Sequence, residues 1–145
     1  MLRLTRDADL VNAFANDPAN RPHIGLAVEA GDVDLSAVVA RDDVRVVHDG
    51  DAMMLFHRTG PAFLGIWEKH TLFRLGCRGR AAISMGRVMF AWATLEIASV
   101  IWSQTPVVNA RARWFNRQIG MQSRGVAQSE HFGPVEHFEW RPACL

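Results

Sequence analysis

The stretch F-R-L-G-C-R-G-R-A-A-I-S-M-G-R, Phe73 to Arg87, leads out of an apolar segment and into a helical pattern. Four arginines and three glycines cluster where the period of the sequence changes. Before it, W-E-K-H-T-L-F (Trp67–Phe73) ends a strand-like run that begins at Ala62. After it, Ala81, Met85, Val88, Trp92 and Leu95 recur at spacings of four, three, four and three. That recurrence predicts one apolar stripe of an amphipathic helix. A strand, a Gly/Arg loop and a helix start make an anion-binding geometry, because the first backbone N–H groups of a helix are unpaired and its dipole favours negative charge.

Working outward, the N-terminal half reads as a short strand (M-L-R-L-T), a helix capped by Asp7 or Asp9, and a breaker, N-D-P-A-N-R-P. The segment from His23 to Ser36 carries a short helix weakened by Gly25 and Gly31. Strands follow from Val38: V-R-V-V-H (Val44–His48) and A-M-M-L-F-H (Ala52–His57) flank a three-residue turn, Asp49-Gly50-Asp51. Beyond the central helix come a strand, S-V-I-W-S-Q (Ser99–Gln104), broken by Thr105-Pro106, and a helix capped by Asn109. The inner face of that helix is Ala112, Phe115 and Ile119, with Gly120 as its stop. Two last strands, M-Q-S-R-G-V-A-Q and V-E-H-F-E-W-R, join around Phe132-Gly133-Pro134. The expected fold class is α/β: a single domain over residues 1–145, with a mixed central sheet of six to seven strands flanked by about four helices.

Composition narrows the function classes. The 145 residues suffice for one core, and no apolar run reaches the roughly 18 residues that span a bilayer. M-L-R-L-T-R-D-A-D-L has neither an apolar h-region nor a small-residue cleavage site, so no secretion signal is expected. Cys77 and Cys144 fit neither a disulfide framework nor a metal spacing, and free thiols in a reducing compartment are expected. The net charge of +1 divides unevenly: residues 1–73 carry seven basic and eleven acidic groups, residues 74–145 nine and four. A positive second half attracts phosphate-bearing ligands, nucleic acid or acidic proteins. Lys69 stands alone against fifteen arginines, and tyrosine is absent.

The element order, with R-G-R-A-A-I-S-M-G-R-V-M-F-A-W-A-T and P-V-V-N-A-R-A-R-W-F-N-R-Q-I-G-M-Q-S-R-G, resembles the GCN5-related N-acetyltransferase (GNAT) fold over nearly the whole chain. The first segment resembles the family's acetyl-CoA pyrophosphate loop and helix. The second resembles its asparagine, helix and terminal Gly tripeptide, here Ile119-Gly120-Met121. W-E-K-H-T-L-F before an R-G loop is similar to phage-encoded GNAT-like proteins, and the layout resembles the small GNAT-like internal virion protein of short-tailed phages.

What this resemblance implies is concrete. Acetyl-CoA is the cofactor if the loop is intact, held by Arg74, Arg78, Gly79, Arg80, Ala81 and Ala82, with Asn109 on the pantetheine arm. The loop pattern Q/R-x-x-G-x-G/A falls on Arg78–Ile83, so Ala81 and Ile83 replace its two glycines. Acyl transfer needs a base and an acid. Glu68 and His70, two apart on one strand face with Leu64, Ile66 and Leu72, are the candidate base. With no tyrosine for the acid, Cys77 or a water is left to that role. The altered loop and missing tyrosine favour a non-catalytic, virion-associated or assembly component in the host cytoplasm, using the fold as a protein-binding scaffold. The alternative is an active acetyl-CoA-dependent N-acetyltransferase acting on an amine of a protein or small molecule.

Two further patterns have competing readings. Arg111, Arg113 and Arg117, with Asn116 and Gln118, form a basic helix face that is either solvated or docks on an acidic protein or nucleic acid. Glu-His-Phe occurs at 130–132 and 136–138, so His131 and His137 would approach across a hairpin, although no metal-ligand spacing accompanies them and no metal is expected. The five tryptophans read mostly as core packing.

Overall fold

The computed structural model describes residues 1–24 and 31–143. Its elements in order are β1 (Arg3–Thr5), α1 (Ala8–Ala15), α2 (Ser36–Val39), β2 (Val44–Asp49), β3 (Ala52–Arg58), β4 (Ile66–Phe73), α3 (Gly79–Glu96), β5 (Val100–Pro106), α4 (Ala110–Gln118), β6 (Gln122–Ser129) and β7 (Gly133–Trp140). The strands form one mixed sheet in the order β1-β2-β3-β4-β5-β7-β6. Every pair is antiparallel except β4 with β5, the pair that needs a helical crossover, and α3 supplies it. The single-domain α/β expectation of up to seven strands and four helices therefore holds.

Both faces of this sheet are covered, which explains why β3 reads as an unbroken apolar run rather than an alternating one. Ala52, Met54 and Phe56 face α3 and α4 together with Val47, Trp67, Ile101 and Phe138. Met53 and Leu55 face α1 and α2 together with Val44, Val46 and Leu72. The β2–β3 turn is tighter than its composition implies: Asp49 pairs with Ala52, leaving a two-residue turn in which Gly50 takes φ 56°.

The helix ends follow side-chain chemistry. Asp7 accepts from Leu10 N at 3.1 Å, and Asn109 accepts from Ala112 N at 3.1 Å. At the far end of α4, Met121 N donates to Asn116 O and Gly120 N to Arg117 O, with Gly120 at φ 103°. Such a left-handed glycine closes the free carbonyls of a helix end.

Several expectations are corrected. The stripe Ala81-Met85-Val88-Trp92-Leu95 is not the buried face of α3: Val88 is 46% and Leu95 82% exposed. Ala82, Gly86, Met89, Phe90 and Ala93 are buried instead. The helix is apolar on most sides, and a glycine, which carries no hydropathy signal, stands where α3 approaches Phe115 of α4. A Cβ at Gly86 would lie 2.7 Å from Cε2 of Phe115 and closer still to Cζ.

Strand β4 starts at Ile66 rather than Ala62, because residues 62–64 form a 3-10 turn ended by Gly65 at φ 60°. Strand β5 does not break at Thr105-Pro106 but pairs with β7 through Pro106. Val38 belongs to α2, and the strands begin at Val44. Gly25, on which part of the first-half reading rested, and Cys144 lie outside the described residues.

Candidate functional site

Strands β4 and β5 form a fork. They pair over three positions only, Ile66–Val100, Trp67–Ile101 and Glu68–Trp102. Beyond these, β4 stays with β3 as far as Phe73, while β5 stays with β7 as far as Pro106. The facing edges thus diverge from Lys69 and Ser103 onward. Helix α3 begins after the loop that follows β4, and α4 begins just after β5. Both helix starts therefore sit at the carboxyl ends of parallel strands, the place where α/β sheets bind ligands.

At the start of α3, Gly79 takes φ 58° with nothing within 4 Å of the position a Cβ would occupy. Arg78, at the cap position, is extended and makes no side-chain cap. The first-turn N–H groups are thus left without the side-chain partner that Asp7 and Asn109 give the other two long helices. Arg78, Arg80 and Ala81 are exposed, and Ala82 is buried. Arg74 is placed differently, with its guanidinium 4.5 Å above the ring of Phe14 on α1. Ile83 is half-buried and, with Arg80, Ser84, Arg87, Val88 and Gln118, lines a shallow depression of about 500 Å³. Asn109 places its oxygen on Ala112 N as the cap of α4.

Inside the fork lies a polar network that the sequence did not reveal. Lys69 is 2% exposed. Its Nζ donates to Thr71 Oγ1 and to Asn116 Oδ1, both at 2.9 Å, and Asn116 Nδ2 donates to Thr105 Oγ1 at 3.0 Å. The chain of contacts joins β4 to α4 and α4 to β5 across the gap. Burial pushes the Lys69 amine down to about 7, since a dry interior disfavours its charge. Period-two alternation was the available signal: it sets Lys69 and Thr71 between Trp67 and Phe73 on one face of β4.

Glu68 and His70 project from the opposite face of β4, with His70 Nε2 3.6 Å from Glu68 Oε1. His57 sits opposite Glu68 on β3 and reaches Asp43 Oδ2 at 3.2 Å. Burial raises the Glu68 carboxyl, but the hydrogen bond and charge of His70 and the charge of His57 outweigh it, leaving Glu68 below its ordinary value. The structure thus brings the two candidate base residues together. Cys77 lies in the loop before α3, where burial and then the Asp51 charge raise its thiol, so it stays protonated at neutral pH.

Two arginines of the basic face of α4 pair with β7, Arg113 partly buried and Arg117 still exposed. Arg113 Nε donates to Glu136 Oε2 at 2.6 Å, Arg117 pairs with Glu136 Oε1, and the Arg117 guanidinium lies 5.0 Å above the Phe138 ring. Glu136 on β7 has a 5% exposed side chain, so these two arginines neutralise a buried carboxylate. Asn116, read from sequence as part of the solvated face, is 2% exposed. Arg111 remains exposed.

His131 lies in the β6–β7 turn, whereas His137 pairs with Gln104 well into β7. His137 is the fifth residue of β7, which begins at Gly133, roughly 13 Å along the strand, so the two histidines do not converge. No group of three or more His, Cys, Asp or Glu able to hold a metal occurs among the described residues. Trp114, 49% exposed, departs from the packing role expected of the tryptophans.

No known family's sequence profile matches the chain, and no curated protein sequence matches it. Solved structures do. A point mutant of spermidine N-acetyltransferase from Vibrio cholerae superposes with TM-score 0.71 at 13% identity, covering 96% of this chain and 93% of that one. An aminoglycoside acetyltransferase, AAC(6')-Ib in complex with coenzyme A, gives 0.72 at 14% identity, covering 97% and 94%. A GNAT-family acetyltransferase from Bacillus anthracis gives 0.69 at 13%, covering 97% and 94%. At these identities the likeness establishes the fold, and the fold is that of the GNAT acetyltransferases.

Proposed function

We propose that this GNAT-fold chain is an acetyl-CoA-dependent N-acetyltransferase acting on an amine of a protein or small molecule. The observation that carries this reading is the strand fork opening beside a helix start that has a left-handed glycine and no side-chain cap. Acetyl-CoA supplies a pyrophosphate, an arm with two amides and an activated acyl group. The N–H groups of the first turn of α3, with Arg78 and Arg80, suit the pyrophosphate. The diverging edges of β4 and β5 offer main-chain hydrogen bonds to an extended amide arm, as a sheet edge does to an added strand. Gly79 leaves its backbone bare, so the cradle fits although Ala81 and Ile83 replace the family's glycines.

Glu68 and His70 lie on the sheet face opposite α3 and α4, so an acceptor amine reaching the fork from that face meets them first. Glu68, ionised at neutral pH, takes the proton from the acceptor's ammonium directly or through one water. The three solved structures, each described as an acetyltransferase, support this reading over that of a virion scaffold. Their described substrates, a polyamine and an aminoglycoside, suggest the acceptors to try first. Thiol release from acetyl-CoA is to be measured with polyamine, aminosugar and peptide N-terminal acceptors. Saturable release with one class supports transfer. Release no faster than buffer hydrolysis across all three would count against it.

A further inference from the structure

Lys69 has no part in the base or the cradle, yet it is the first β4 residue past the last β4–β5 pair and lies 2% exposed in the fork. Two acceptors, Thr71 Oγ1 and Asn116 Oδ1, face its Nζ. A neutral amine has two N–H groups and one lone pair, whereas an ammonium has three N–H groups. The two acceptors therefore satisfy the neutral form fully. The charged form holds one proton for which no acceptor is recorded among the described residues.

Among the described residues no carboxylate pairs with Lys69. On its own strand Glu68 and His70 point to the opposite face, and Phe56 stands opposite it on β3. From β5 come Ser103 and Thr105, and from α4 come Asn116 and the Phe115 ring, 5.7 Å from Nζ. The interior residues of α3 are all uncharged. Glu136 of β7 shares this face but is engaged by Arg113 and Arg117.

We propose that Lys69 is the proton donor to the departing thiolate of acyl transfer, filling the role for which the chain has no tyrosine. The inference rests on the acyl-CoA reading of the fork. Lys69, as its ammonium, gives one proton to sulfur as the carbon–sulfur bond breaks and the acceptor nitrogen's bond to the carbonyl carbon forms. It is left as the neutral amine that Thr71 and Asn116 hold, while the acceptor's ammonium gives up two protons in all, one to Glu68 before attack and one to water as the amide forms. Solvent then reprotonates Lys69. Acidity supports the assignment: at about 7 the buried ammonium is a stronger acid than an ordinary thiol at about 8.5, so the transfer runs downhill. An ordinary lysine, at about 10.4, would keep its proton.

Because Lys69 is the sole lysine, protein grown with isotope-labelled lysine gives a single side-chain amine signal by NMR. That signal is titrated with pH in the free protein, with coenzyme A, and with desulfo-coenzyme A, which lacks the thiol. Coenzyme A is expected to move the Lys69 midpoint by about one pH unit or more, as adjacent titrating groups do, and the desulfo compound by much less. If both ligands shift the backbone spectrum yet move Lys69 equally, the assignment is overturned while the cofactor reading stands. If neither perturbs any backbone signal, the cofactor reading fails and the assignment with it.

Discussion

Lys69 and Asn116 meet inside the fork with Nζ and Oδ1 2.9 Å apart, each residue 2% exposed. A buried amine held, among the described residues, by an amide and a hydroxyl rather than a carboxylate costs the fold whenever it is charged. That cost makes stability depend on pH. Below about pH 7 both folded and unfolded chains are protonated at Lys69, and the folded one carries a buried charge. Above it the folded chain releases the proton, while the unfolded chain keeps it to about pH 10.4. In this window the unfolded state binds more protons, so stability rises with pH by up to about 1.4 kcal/mol per unit from this group. Denaturant unfolding at a series of pH values is expected to show a steeper rise for the wild type than for Lys69→Met, whose difference cancels the other titrating groups.

The contact between Gly86 and Phe115 sets the spacing of α3 and α4. Gly86→Ala improves helix propensity by up to about 1 kcal/mol but drives a methyl into the Phe115 ring. A net loss of about 1–3 kcal/mol is expected from overpacking. In the Gly86→Ala background, Phe115→Leu is expected to cost less than in the wild type, which a double-mutant cycle of unfolding free energies measures.

Glu136 anchors α4 to β7 through Arg113 and Arg117. Burial raises its carboxyl, but hydrogen bonds from Arg113 and Ser123 and the charges of Arg117 and Arg113 together hold it below its ordinary value. A lowered carboxyl contributes stability above its unfolded value near 4.5, lost as pH falls through the folded value. Glu136→Gln leaves two partly exposed arginines without their carboxylate and is expected to cost about 1–3 kcal/mol at pH 7. The mutant should also lose less stability than the wild type between pH 5 and pH 3, roughly the carboxylate range, in acid-titrated unfolding curves.

Ile83 stands one turn into α3, at the second glycine position of the loop pattern that the proposed cofactor site uses. Helical side chains lean toward the N-terminus, so its branched chain leans toward the cradle. Ile83→Gly is expected to tighten coenzyme A binding severalfold while costing roughly 1 kcal/mol of fold stability from helix propensity. Calorimetry and unfolding on the same preparation separate the two effects. Unchanged affinity would show that the side chain does not hold the ligand off.

Much of the fold was legible because local signals agreed with the tertiary structure. Asp7 and Asn109 cap their helices, Gly120 stops α4, and β2 and β3 lie within a residue of their expected ends. The misassigned faces have one cause: where an element is apolar or polar on several sides, periodicity cannot choose the buried side. Helix α3 was rotated by about one residue because Gly86 contributes closeness without hydrophobicity. On α4, Asn116 and the arginines look alike in sequence, yet Asn116 is internal and two arginines serve Glu136, a partner 23 and 19 residues away along the chain. Strand β4 is polar on both faces at Glu68, Lys69 and His70, so alternation alone does not mark Lys69 as the buried one.

We propose that the fork and the bare start of α3 hold acetyl-CoA. Calorimetric titration with acetyl-CoA tests it most directly, using the wild type beside Gly79→Ala, which strains the left-handed position at φ 58°. Saturable one-to-one binding in the micromolar range is predicted for the wild type, weakened at least tenfold in the variant. The absence of binding to the wild type at millimolar acetyl-CoA would contradict it.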